Sequence, residues 1–111
     1  MTRSRLKLAL VQESQGDPRC PLCHEPASQM HEIFVPPHTG SKYNQVYPLW
    51  AVILLCPKCN LFKANNLQKE LLEIRVRQLE KMDPVWRERV RAELEEIRAK
   101  VYVKYAVPKL D

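Results

Sequence analysis

The four cysteines of the chain form two pairs of identical spacing, Cys20-Pro21-Leu22-Cys23 and Cys56-Pro57-Lys58-Cys59, with none left over. A Cys-x-x-Cys turn lets two sulfurs converge on one cation at about 2.3 Å, and two such turns complete the tetrahedral set that Zn²⁺ prefers. Pro21 and Pro57 stiffen the turns. Disulfides are a weaker reading, because a reducing compartment keeps thiols free, and a redox Cys-x-x-Cys has no need of a second copy. Structural Zn²⁺ on Cys20, Cys23, Cys56 and Cys59 is therefore expected. It would also supply folding free energy to residues 12–64, which are rich in proline and poor in core-forming side chains.

Between the pairs lies Met30-His31-Glu32-Ile33-Phe34-Val35-Pro36, and directly after the second comes Asn60-Leu61-Phe62-Lys63. An imidazole, a carboxylate and an amide are the groups that hold a hard cation or move a proton. The plainer roles are structural: His31 as a hydrogen-bonded neighbour of the zinc turn, and Asn60 as a helix cap. His24 reads as a surface or outer-sphere group beside Cys23. His38 is a loop residue that could serve as a third ligand.

The arrangement resembles the HNH branch of the ββα-metal endonucleases, over residues 20 to 66. In that family a first strand carries an Asp-His or His-His pair, then an apolar residue and soon a proline. Zinc-bearing members bracket this strand with two Cys-x-x-Cys knuckles and close on Leu-Cys-x-x-Cys-His or its Asn variant, which here reads Leu55-Cys56-Pro57-Lys58-Cys59-Asn60. The resemblance implies an enzyme that hydrolyses DNA phosphodiesters with one Mg²⁺ or Mn²⁺ held by His31 and Asn60. Glu32 then occupies the general-base position. The base is ordinarily histidine, so Glu32 is a departure, similar to His-Glu pairs of small phage HNH proteins. A carboxylate, ionised at neutral pH, can act as a base but is weaker than imidazole unless its environment helps. The family's middle asparagine has only Asn44 as a counterpart.

A geometric condition attaches to the pair. Neighbours on a regular strand point to opposite faces, so His31 and Glu32 share a site only where the strand twists or ends. In the alternative register His31 is the base and Met30 falls at the metal position, where a thioether suits Mg²⁺ badly. The rival reading is a catalytically inactive zinc finger that binds DNA or a protein.

The elements that must position these groups follow from periodicity. Residues 4–14 fit a short helix with Leu6, Leu10 and Val11 on one face, or a strand, ended by Gly16-Asp17-Pro18. Residues 27–36 and 49–55 read as strands, with a loop over 38–44. Beyond Cys59 the texture turns helical: Asn60 to Asn66 opens a segment in which Leu67, Leu71, Ile74 and Leu79 recur at helical spacing, with exposed charge supplied over 70–81. Asp83 as cap and Pro84 in the first turn start another over 84–105, with Trp86, Val90, Leu94, Ile97, Val101 and Tyr105 in one stripe. That stripe could pack on the preceding helix or on a second copy, giving a homodimer. The fold class is small α+β: an N-terminal arm (1–19), a zinc-stapled ββα finger (20–66) and two C-terminal α-helices (67–111).

At 111 residues there is room for one domain. Eighteen basic against thirteen acidic groups leave +5, which four thiolates on one divalent ion would lower to about +3. Neither half is a basic tail, so DNA contact must come from placement, and Lys42, Lys58, Lys63, Arg75 and Arg77 flank the finger, with Tyr43 and Tyr47 able to stack. The arginines of residues 84–105 alternate with glutamates, as on a solvated face. The longest apolar run, Leu49 to Cys56, is strand-sized, and the N-terminal apolar stretch is too short for a secretion signal, so a cytoplasmic protein without a membrane partner is expected.

Overall fold

The computed structural model describes residues 3–34, 48–100 and 107–110. Lys42, His38, Asn44, Tyr43, Tyr47, Val101 and Tyr105 lie outside the described residues.

The N-terminal segment resolves as a helix, α1 (Arg3–Glu13), because Leu6 and Leu10 one turn apart are buried while Leu8, on the opposite side, is 59% exposed. Gly16, at φ 84°, takes the left-handed turn that ends α1, and its N–H returns to the Val11 carbonyl. Two short strands follow. Strands β1 (Gln29–Glu32) and β2 (Val52–Leu55) pair antiparallel, with Gln29 opposite Leu55 and His31 opposite Ile53. Both are shorter than expected. The N–H groups of Ile33 and Phe34 both reach the Ala51 carbonyl, a bulge-like doubling that ends β1 after Glu32. Opposite it, Leu49–Ala51 forms a 3-10 turn instead of strand. Trp50 of this turn stacks on Phe34, with ring centroids 6.1 Å apart, and its indole N–H donates to Glu93.

The helical segment that opens after Cys59 is three pieces: α2 (Pro57–Phe62), a 3-10 turn over Ala64–Asn66, and α3 (Gln68–Glu80). Helix α2 is oriented by Cys56 and Cys59, whereas α3 must bury Leu71, Leu72, Val76 and Leu79. The chain bends between them at Asn65 and Asn66, both poor helix formers. Asp83 accepts from the Val85 N–H and leads into α4 (Trp86–Lys100). Val90 and Leu94 are fully buried against α3 within this chain, so the centre of the apolar stripe is already covered. Arg87 joins Glu73 and Glu80 of α3 at 2.9 Å each. The Arg87 guanidinium holds the Glu73 carboxyl below its ordinary value, so this clasp contributes fully above the usual carboxylate range and is lost as pH falls below that range toward the lowered value. One cluster of buried side chains runs through all three expected segments, from Leu6 through Ile53 to Leu94.

Arg75 corrects an expectation. It is 1% exposed, donates to both oxygens of Glu13 (3.2 and 2.9 Å) and to the Leu49 carbonyl at 3.2 Å, and so ties α1 and the 3-10 turn to α3. A side chain so enclosed cannot meet a phosphate. Removing Arg75 leaves the half-buried Glu13 carboxylate and the Leu49 carbonyl without their donor and empties a fully buried site, so Arg75→Ala is expected to cost about 3 kcal/mol in chemical denaturation. A loss within experimental error of zero would refute that role. Arg77 is exposed and pairs with Glu73 at 3.3 Å. No described helix is long and apolar enough to cross a membrane.

Candidate metal centre and adjoining polar cluster

The first cysteine pair sits in a tight hairpin turn. Cys20 N–H bonds the Glu25 carbonyl at 2.8 Å, His24 N–H returns to the Cys20 carbonyl at 2.7 Å, and Arg19 and Pro26 bridge below. The second pair is built on the start of α2, where Cys56 is the cap, Pro57 enters the first turn, and the Cys59 N–H donates to the Cys56 sulfur at 3.3 Å. Because β2 runs directly into Cys56 and residues 27–28 connect the first turn to β1, the sheet draws the two turns together.

All four sulfurs lie within 4.8 Å of one another, and Cys23 and Cys56 are 3.4 Å apart. A tetrahedral Zn–S shell of about 2.3 Å places its sulfurs about 3.8 Å apart, so the cluster fits a tetrathiolate zinc ion. All four are free thiols. The Cys59 N–H pulls Cys56 down to about 7, with its neighbouring thiols assisting. Desolvation pushes Cys59 up to about 12. Cys23 stands above the ordinary thiol value: the Glu25 backbone N–H lowers it, but the Cys56 thiol and desolvation outweigh that.

His24 ends the first turn at φ 68°, a left-handed conformation that costs a side-chain-bearing residue about 1 kcal/mol, and its ring is exposed. His24→Gly is expected to raise stability by about 0.5–1 kcal/mol in thermal unfolding of the zinc-loaded protein. A loss would mean that the imidazole has a partner.

A second cluster adjoins the first. Strand alternation places Gln29 and His31 on one face of β1, and Met30 and Glu32 on the other. The Asn60 side-chain N–H donates to Gln29 Oε1 at 2.7 Å, and His31 Nε2 lies 2.7 Å from Gln68 Oε1. His31 is buried. Gln68 Oε1 can only accept, so the proton of a neutral His31 ring sits on Nε2 and its lone pair on Nδ1. The same logic leaves the Asn60 Oδ1 lone pairs without a hydrogen bond among the described residues. An imidazole nitrogen and an amide oxygen are a donor pair that suits a divalent cation. His31 and Asn60 thus belong to one side of the finger, while Glu32 ends the strand on the opposite face, half-buried, immediately before the doubling at Ile33 and Phe34.

Gln29 and Gln68 were not foreseen. Gln29 could have been found from the period of two that relates it to His31; Gln68 carried no signal, since the bend that delivers it is tertiary. Lys58 and Lys63 are exposed on and just beyond α2.

Fold and site together define a small α+β protein with a four-cysteine cluster that could hold a metal ion. Comparison with protein-family models, curated proteins and solved structures finds no match for the chain.

Proposed function

We propose that the chain is an HNH-type endonuclease that hydrolyses DNA phosphodiester bonds with one divalent cation, Mg²⁺ or Mn²⁺, and that zinc on the four cysteines holds its finger together. One observation carries the reading: Asn60, directly after the last cysteine, reaches the face of β1 that His31 occupies, and each side chain is held by a glutamine on its other polar atom. His31 Nδ1 and Asn60 Oδ1 would hold the cation. When bound, such an ion neutralises charge developing on a phosphate oxygen. Glu32 takes the proton from the attacking water, and Lys63, three residues beyond Asn60, meets a neighbouring phosphate.

A second reading has an observation of its own. Glu32 alternates to the face opposite His31, which favours a finger that binds DNA without cutting it.

Incubating supercoiled plasmid with the zinc-loaded protein and Mg²⁺ or Mn²⁺ separates them. Nicking by the wild type that disappears in His31→Ala, Glu32→Gln and Asn60→Ala supports the nuclease. Retarded but uncut plasmid supports the binding finger, and equal nicking by all four proteins rejects the assignment of the site.

A further inference from the structure

Among the described residues, the arginines of the helical arm are largely neutralised while several lysines are not. In the helical arm, Arg75, Arg77, Arg87, Arg91 and Arg98 are each paired with a carboxylate, and Arg89 lies over the Trp86 ring, 4.7 Å from its centroid. Around the finger Arg19 pairs with Asp17 at 3.3 Å, but three lysines there do not. Lys7 of α1, together with Lys58 and Lys63, has no ion-pair partner among the described residues.

Lys7 also lies where a polymer could use it. A groove of about 630 Å³ crosses the start of β1, with Ser4 and Lys7 of α1 on one wall, Ser28, Gln29 and Met30 as its floor, and Asn60 on the other wall. Among the described residues its lining has two hydroxyls, two amides, one thioether and one ammonium, and no carboxylate. Such a lining can donate hydrogen bonds to an anion and repels none. Asn60 and Lys63 are three residues apart, so a chain leaving the groove past Asn60 meets the second cation next. The depression on that side, which Lys58 and Lys63 share with the zinc cysteines, includes one acidic residue, Glu25.

The geometry points to this groove as a docking track for the sugar–phosphate backbone of DNA, with Lys7 on one phosphate, Ser4 and Ser28 donating beside it, and Lys63 on a phosphate beyond Asn60. The N-terminal helix is then part of the DNA-binding surface in addition to covering the core with Leu6 and Leu10. The inference shares its substrate class with the proposed nuclease but does not require cutting.

Its test is binding without added Mg²⁺. Fluorescence anisotropy of a labelled duplex is followed against salt for the zinc-loaded wild type, Lys7→Ala, Lys7→Arg and Lys81→Ala. Lys7 is exposed, so its replacement leaves the fold intact, which circular dichroism checks. One lost phosphate contact is expected to weaken binding about 3- to 10-fold at moderate salt and to flatten the slope of log K against log salt by about one. Lys7→Arg should restore both, and Lys81→Ala, at the end of α3, should change neither. Wild-type binding with affinity and slope unaltered in Lys7→Ala overturns the track and leaves the nuclease reading standing. Lys7-dependent binding by a protein that nicks nothing does the reverse. A wild type that binds no DNA defeats both.

Discussion

Stripping zinc from the protein is expected to abolish its cooperative unfolding transition, and Cys59→Ser is expected to do the same without any chelator. Cys20, Cys56 and Cys59 are buried, and the last two hold the N-terminus of α2 against β2. Without a metal, three sheltered sulfurs lose their common partner, and the sheet loses the tie between its two ends. The four residues of each strand cannot hold as an isolated hairpin. The collapse should reach beyond the finger, since Trp50 and Phe34 pack at the other end of the same two strands and α4 is joined to Trp50 through Glu93. Loss of the near-ultraviolet signal of Trp50 would register it. Binding should also release protons. Cys59, near 12, and Cys23, above the ordinary thiol value, are protonated at neutral pH, while Cys56, near 7, is about half ionised. Metal entry expels at least the first two of these protons, so acid opposes it, and zinc affinity should fall by at least about 100-fold per unit between pH 8 and pH 6. A protein whose unfolding transition is indifferent to zinc and pH would remove the scaffold on which the rest is built.

The second large effect concerns chemistry. Glu32→Gln keeps the size and shape of the side chain and removes the capacity to accept a proton from water at neutral pH. Plasmid nicking is expected to drop by about 10²- to 10⁴-fold, the usual contribution of a positioned general base. Asn60→Ala should produce a comparable loss by a different route, because it removes the amide oxygen proposed to hold the cation and also releases Gln29. Raising Mn²⁺ should recover part of the activity of Asn60→Ala and none of that of Glu32→Gln. Both side chains are half-buried, at the end of β1 and on α2, and neither belongs to the apolar core, so zinc content and unfolding midpoint should stay close to wild type. Folded Glu32→Gln protein with full activity would assign the base elsewhere.

What could be read from residues alone was what short-range chemistry imposes. The Cys-x-x-Cys spacing led to the four-sulfur cluster, because a turn of that length dictates where its sulfurs go. The start of α4 was legible in Asp83 and Pro84, and its buried stripe in the interval between Val90 and Leu94. Failures occurred where long-range packing overrode local pattern. Leu49–Ala51 is as apolar as the strand that follows, yet its carbonyls are committed to Arg75 and to the doubled N–H groups of Ile33 and Phe34. The break at Lys63 to Leu67 arises because α2 answers to sulfur and α3 to the core. Arg75 looked like a surface cation since its partner, Glu13, is 62 residues away in the chain. The same separation hid Gln68 from His31. The pair His31 and Glu32 was readable as types, but their opposite faces follow from a strand that stays regular until Glu32.

The measurement closest to the centre of the proposal is pulsed electron paramagnetic resonance of Mn²⁺ added to the zinc-loaded protein. One bound Mn²⁺ is expected, with nitrogen modulation from a directly coordinated imidazole that disappears in His31→Ala, and with affinity reduced in Asn60→Ala. Mn²⁺ that binds without nitrogen coupling, or whose coupling survives the loss of His31, would contradict a cation site between that ring and Asn60.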